Sequence, residues 1–311
     1  MSFVATRKQT VAGILLAIIA TLVWSGNFIV ARAVKNDIPP VTLAFFRWLT
    51  ASAIMLPFAV KQVLKEWQLI KNHWRLLLFA AFSGVCLFNT FVYMAGHYST
   101  AINLALIGTT SSPVMSIILA YFFLKEKLHL LKVLGLVICI TGIALLVSKG
   151  NLANLWHLQF GKGDFWVLLG AFSFAVYNII TRKKPTSLSN TSYLAVIFWM
   201  GTLLLLPAYC WEHAVTTPVV WNTKNLLMIF YLGAGASVFS FLCWNASIHK
   251  LGAGRTALFG NLIPIFSTLE AAVLLHEQVA VYHFISFVVI IAGLLIANLK
   301  TKQPAVTENQ Q

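Results

Sequence analysis

Charge is scarce in this chain. Only 10% of its 311 residues are Asp, Glu, Lys or Arg, against about 25% in soluble domains. Acidic residues are rarest, eight in all: Asp37, Glu66, Glu126, Asp164, Glu212, Glu270, Glu277 and Glu308. With 59% hydrophobic residues and a mean hydropathy of +0.83, no water-soluble fold of this length could hide so much apolar surface. Catalytic signatures are missing too. There is no HExxH, no GxSxG, no Walker motif and no clustered carboxylate pair. The reading is therefore not an enzyme and not an ATP-driven pump; a membrane-embedded enzyme is a weaker alternative. The four cysteines, Cys86, Cys139, Cys210 and Cys243, form no CxxC pair and read as small apolar residues inside spans. The histidines show no ligand spacing, so neither a metal nor a cofactor is expected.

What is present is a series of long apolar runs. They fall at 10–34, 41–60, 75–96, 101–124, 130–148, 164–183, 191–211, 225–248, 254–276 and 280–299. Each is near the ~20 residues that a bilayer requires. The fold class expected is an all-α polytopic membrane protein with ten transmembrane helices. Arg7 and Lys8 precede an apolar stretch without a cleavage site, which reads as a first membrane helix rather than a signal peptide. The net charge of +14 sits in short loops, not on one amphipathic face. It therefore speaks for orientation in a bilayer and against nucleic-acid binding. Sixteen Lys and Arg lie at the N-terminus and in alternate loops and five on the other side, which places both termini in the cytoplasm.

The second half repeats the first at an offset of 151 residues. Asn27 recurs as Asn178, Trp48 as Trp199, Gly84 as Gly235, Phe88 as Phe239, Pro113 as Pro264, Glu126 as Glu277 and Gly142 as Gly293. Two modules follow, at 10–148 and 164–299. They are joined by a linker at 149–163 and flanked by a cytoplasmic N-terminus, 1–9, and a polar cytoplasmic tail, 300–311. Five crossings per module make the two copies inverted repeats, an arrangement typical of secondary transporters.

Trp24-Ser25-Gly26-Asn27-Phe28, Phe45-Phe46-Arg47-Trp48 and Lys125-Glu126-Lys127-Leu128, followed by Gly135 and Gly142, are the residues that carry a family likeness. With Glu277 and Gly293 in the second copy, the chain resembles the drug/metabolite transporter superfamily, in particular its EamA-like ten-helix carriers. The resemblance implies two five-helix repeats around a central cavity in a bacterial inner membrane. It also implies export or exchange of small metabolites, among them amino acids, sugars, nucleotide derivatives and drugs. The expected partners are a small-molecule substrate, a proton or other ion, and the lipid bilayer, with the chain a monomer or homodimer. Import or exchange of another metabolite class is the alternative.

Polar groups inside spans are the candidates for transport, because they are costly in lipid. Glu270 and Arg47 both lie in outer halves of spans, and both break the repeat: Leu119 and Phe198 stand in their places. They are read as a pair or shared network that binds a substrate or coupling ion. Asn27 and Asn178, with Trp24 and Tyr93, are candidate cavity lining. Pro113 and Pro264 are expected to kink helices at mid-span and to free the carbonyls four residues earlier. Thr109 and Asn261 accompany them at this hinge. Glu126 and Glu277 read as structural anchors at helix ends.

Overall fold

The computed structural model describes residues 7–125, 129–151, 161–216, 219–251, 256 and 259–297. Glu126, most of the linker and the C-terminal tail lie outside the described residues. Among those described, every regular element is a helix. The long helices are α1 Arg7–Ala33, α2 Pro40–Lys65, α3 Trp74–Gly96, α4 Ala101–Leu124, α5 Leu130–Val147, α6 Lys162–Thr181, α7 Asn190–Val215 and α8 Thr223–Leu251. These eight are long and apolar enough to cross a membrane. Two shorter apolar helices follow, α9 Leu262–Leu274 and α10 Val281–Ala297.

The ends of these helices have local causes. Pro40 opens α2, where its missing N–H is no loss. The hydroxyls of Thr100 and Ser189 and the amide of Asn222 accept main-chain bonds at the starts of α4, α7 and α8. α4 ends on a left-handed residue, Lys125 (φ 54°), and the chain after α9 turns at His276 with the same φ. These two positions are 151 residues apart. The sequence-level offset thus extends to backbone geometry. It appears again in α3 and α8, which widen into π-helical turns at Phe82–Leu87 and Tyr231–Phe239.

One expectation needs correcting. The run 254–276 is not one continuous helix. Phe259 is helical, Gly260 and Asn261 form a turn, and α9 begins at Leu262. Pro264 therefore sits in the first turn of α9, where an absent N–H is tolerated, and not at mid-helix. The Gly260 carbonyl, expected to be free, accepts the Ile263 N–H at 3.1 Å. Pro113, by contrast, does lie inside continuous α4.

Two seams join the halves. Along α2 and α7, Thr42 meets Glu212, Phe45 stacks on Tyr209, Ser52 meets Thr202, and Glu66 just after α2 meets Ser189. The partner number falls as the α2 number rises, so these helices run antiparallel. α5 and α10 are antiparallel as well. A Cβ on Gly135 would reach Ala297, and one on Gly142 would reach Ile290. Elsewhere α1 runs parallel to α3 (Asn27 near Tyr93, Ala31 near Gly96). α3 is antiparallel to α6 (Gly84 on Tyr177, Val92 near Gly170). α4 is parallel to α6 (Gly108 near Val167, Ser116 near Asn178).

Lipid adds no hydrophobic drive between helices, so close approach of small residues carries such seams. At Gly293 an added Cβ would lie 2.7 Å from the Cys139 nitrogen and 2.7 Å from the Gly135 carbonyl oxygen, neither of which can move aside alone. Gly170 has its nearest neighbour at 3.4 Å. Gly293→Ala should therefore lose about 1–3 kcal/mol of stability through overpacking. Gly170→Ala should be neutral or up to about 1 kcal/mol more stable, because a helical glycine is replaced. Thermal unfolding of the two purified variants in detergent checks the opposite signs.

Candidate functional site

Five carboxylates in the described residues are occupied at helix ends. Glu212, on α7, accepts the Val41 and Thr42 N–H bonds at 3.0 and 2.6 Å, and so caps α2 of the other half. Glu66 accepts from the Ser189 N–H and hydroxyl at 3.2 and 3.0 Å, at the start of α7. Glu277 takes the Ala101 and Ile102 N–H groups of α4 at 2.8 and 3.1 Å. Asp164 lies in the first turn of its own helix and accepts the Gly161 N–H. Asp37 accepts from the Asn225 amide at 3.3 Å. Negative charge at a helix N-terminus is favourable, and each of these acids has a structural use. Glu270 is the described acid that no helix end claims.

Glu270 lies on α9. One carboxylate oxygen accepts the Ser25 hydroxyl of α1 at 2.7 Å. The other is buried with no hydrogen-bond partner among the described residues. The single Ser25 hydroxyl hydrogen lies within reach of the Leu22 carbonyl as well, and Ser267 of α9 approaches the Ser25 carbonyl at 3.5 Å.

Arg47, on α2, is 5% exposed. Its Nε donates to Ser237 Oγ at 2.8 Å. The two Nη1 hydrogens are shared among Asn27 Oδ1 at 2.6 Å, Asn89 Oδ1 at 2.8 Å and the Tyr93 hydroxyl oxygen at 2.8 Å. Tyr93 passes its own hydroxyl hydrogen to Asn27 Oδ1 at 3.0 Å. The guanidinium also lies 4.9 Å from the Trp48 ring centroid. Every acceptor is neutral, so the charge is spread over dipoles from α1, α3 and α8. Nη2 donates to no described residue. A buried charge without such bonds would cost several kcal/mol.

Arg47 and Glu270 do not touch. They are held instead by Asn27 and Ser25, two residues apart on α1. Between these, Gly26 leaves room for the Tyr231 side chain, whose hydroxyl donates to the Val23 carbonyl at 2.7 Å. Trp24 sends its indole N–H to the Ala236 carbonyl at 2.9 Å, a group in the π-helical turn of α8. Its ring packs on Phe241 and Trp244. Four consecutive residues of α1 thus reach four different neighbours.

The other sequence-level candidates make their side-chain bonds to residues outside this cluster or make no cap bond. Asn178 donates to Ser116 Oγ on α4 at 3.3 Å. Thr109, one turn before Pro113, returns its hydroxyl to the Ala105 carbonyl at 2.7 Å. Asn261 precedes α9 and makes no side-chain cap bond. Ser25 stood in the motif that carries the family likeness but was not read as a site residue, and Tyr231 and Ser237 were not singled out in the sequence. Ser237 carried one usable signal, its place in the small-residue run Gly233–Ser237.

Two outcomes follow from this geometry. Tyr93→Phe removes one donor–acceptor link from a buried network and should cost about 1–2 kcal/mol, with Arg47→Ala costing more; unfolding of both variants in detergent ranks them. Outside the spans, His97 follows α3. Its burial, then the nearby Lys35 and Arg32 charges, hold it below its usual range, against the pull of Glu212. The unfolded chain therefore takes up the proton first on acidification. Stability should be flat above about pH 6.5 and fall below it, and His97→Gln should flatten that part of the melting-temperature profile.

One family model, the EamA-like transporter family, matches this chain twice, over residues 11–148 and 161–299. An uncharacterized transporter of Archaeoglobus fulgidus is 27% identical over 292 residues, 93% of this chain and 98% of that protein. A protein of Escherichia coli K12 named "probable amino-acid metabolite efflux pump" is 23% identical, covering 90% of this chain and 93% of its own. A crystal structure 20% identical in sequence shares the fold with a TM-score of 0.60, over 94% of this chain and 97% of that one. The chain is a multi-pass membrane protein that belongs to the EamA-like transporter family, within the drug/metabolite transporter superfamily.

Proposed function

We propose that this transporter is a secondary carrier exporting a small amino-acid-like metabolite across the bacterial inner membrane. It works by alternating access between two inverted five-helix repeats, with both termini in the cytoplasm. The antiparallel seams α2–α7 and α5–α10, each between helices 151 residues apart, support the inverted repeat. α9 is counted as a crossing together with the helical residues before Gly260, and α10 as a short one. The 16 to 5 division of basic residues supports the orientation.

The observation that carries the reading is the pair of half-used groups along α1. Among the described residues, Glu270 has one buried oxygen without a partner, and Arg47 has one nitrogen that donates to none of them. They are opposite in sign and anchored two residues apart on α1. A zwitterion offers an ammonium for the first and a carboxylate for the second. Between substrates, a proton on Glu270 relieves the unpaired oxygen and provides the coupling to a gradient. α1 touches helices of both halves through this segment, so filling or emptying the two groups bears on how the halves sit. The named efflux activity of the Escherichia coli relative supports the direction and the solute class.

The test is metabolite release. Cells producing the protein should accumulate one class of amino acid or derivative in the medium. Glu270→Gln, which keeps the Ser25 bond but cannot ionise, should reduce that release at least ~10-fold with unchanged protein in the membrane. Arg47→Lys should also lower it. Release by Glu270→Gln equal to that of the unsubstituted protein at every pH from 6 to 8 would remove the carboxyl from coupling.

A further inference from the structure

Ser111 and Ser112 of α4 are 2% and 4% exposed, and neither hydroxyl has a hydrogen-bond partner among the described residues. Buried helical hydroxyls ordinarily return to the carbonyl one turn back. Their neighbours Thr109 and Thr110 do so, at 2.7 and 2.5 Å to Ala105 and Leu106. The two serines are the exception, and they stand directly before Pro113. Proline has no N–H, so the Thr109 carbonyl lacks its helical donor.

These groups share one surface of the helix. A carbonyl of residue i lies beside the side chains at i+3 and i+4. The Gly108 carbonyl therefore lies beside Ser111 and Ser112, and the Thr109 carbonyl beside Ser112. We propose that Ser111 Oγ, Ser112 Oγ and the carbonyls of Gly108 and Thr109 form a site for a small monovalent cation, sodium before others. The ligands are all hard, uncharged oxygens, which suits a small hard cation. A divalent ion would call for carboxylates in the set, and the two carbonyls turn away an anion. Kinked or broken helices near the midplane place carbonyls toward coupling ions in this way.

The helix directions put this site at the depth of Glu270. A Cβ on Gly108 would meet Val167 of α6 at 3.2 Å and Phe28 of α1 at 3.6 Å. α4 is parallel to α6, α6 antiparallel to α3, and α3 parallel to α1, so α1 runs antiparallel to α4. One turn on from Gly108, the serines come level with Ser25, which holds Glu270. The site has no counterpart in the second copy, where Gly260, Leu262 and Ile263 occupy the positions of Thr109, Ser111 and Ser112. One cation per chain follows. Only the use of that ion in coupling rests on the carrier reading; its binding does not.

Thermal unfolding of the purified full chain in detergent decides the matter, in NaCl, KCl or choline chloride at equal ionic strength and without any solute. Sodium should give a saturable rise of about 3–6 °C over choline. The rise should vanish in Ser111→Ala/Ser112→Ala and persist in Ser116→Ala, one turn further along. Binding of radioactive sodium should saturate near one per chain. Coincident curves in the three salts overturn the proposal, as does a sodium response that survives the double substitution. Should that variant fail to fold, Ser112→Ala alone decides. A sodium half-saturation raised ~10-fold supports the site, and an unchanged one removes it. A chain that exports a metabolite but ignores sodium keeps its function and loses this site.

Discussion

A guanidinium buried between helices in a bilayer sets the terms for its surroundings. It cannot shed its charge, and with no carboxylate beside it, it must be met by dipoles from several directions. Arg47 does this with Asn27, Asn89, Tyr93 and Ser237, drawn from α1, α3 and α8. Those bonds pin α2 to three helices at one depth, and one of those helices belongs to the other half. Asn27 then fixes the rotation of α1. That rotation in turn decides that Ser25 faces Glu270 and Trp24 faces α8. Gly26 completes the set by letting Tyr231 reach the α1 backbone. The π-helical turn of α8 belongs to the same arrangement, since its widened backbone leaves the Ala236 carbonyl open to Trp24.

The helix ends obey the same electrostatics. Crossing helices must satisfy their first N–H groups where lipid gives way to water. Glu212 does so for α2, Glu66 meets the start of α7, and Glu277 does so for α4. Glu212 and Glu66 sit at opposite ends of the α2–α7 seam, each near a C-terminus and each serving an N-terminus of the other half. With so few acids in the chain, this leaves Glu270 as the described acid within the helical core. The scarcity of charge that marks the sequence is thus also what singles out the site.

Much of the helical frame was legible from hydropathy alone. The run 101–124 coincides with α4, and 130–148 runs one residue past α5. The ninth element was not. Its apolar run continues through Gly260 and Asn261, where two poor helix formers break the helix without interrupting the hydrophobicity. Arg47 and Glu270 stood out because each is a charge in an apolar run. Asn27 and Tyr93, read as cavity lining, proved to be partners of Arg47, but the serines that complete the two sites did not stand out. Ser237 is 190 residues from Arg47 and Ser25 is 245 from Glu270, and no local pattern encodes pairings at that distance. The π-helical turns were hidden for another reason. A run of glycines and small residues permits a widened turn but reads equally as helix packing.

The repeat is followed most closely by the scaffold and abandoned most sharply at the polar core. Gly142 and Gly293 of the α5–α10 seam, the left-handed turns at Lys125 and His276, and both π-helical turns follow the 151-residue offset. Arg47, Glu270, Ser25 and Tyr93 do not: Phe198, Leu119, Val176 and Trp244 stand in the matching places. Two identical inverted halves would give inward-open and outward-open forms of equal energy. Here Arg47, Tyr93, Ser25 and Glu270 have no polar counterpart at the hydrogen-bonding positions of the other copy, where aromatic and aliphatic residues stand instead. On the proposed alternating-access reading, the two forms then differ in which polar bonds they keep. A solute or ion that completes the half-used valences of Glu270 and Arg47 acts on that difference directly. In the proposed carrier, symmetry provides the two states, and the residues that break it provide the means of choosing between them.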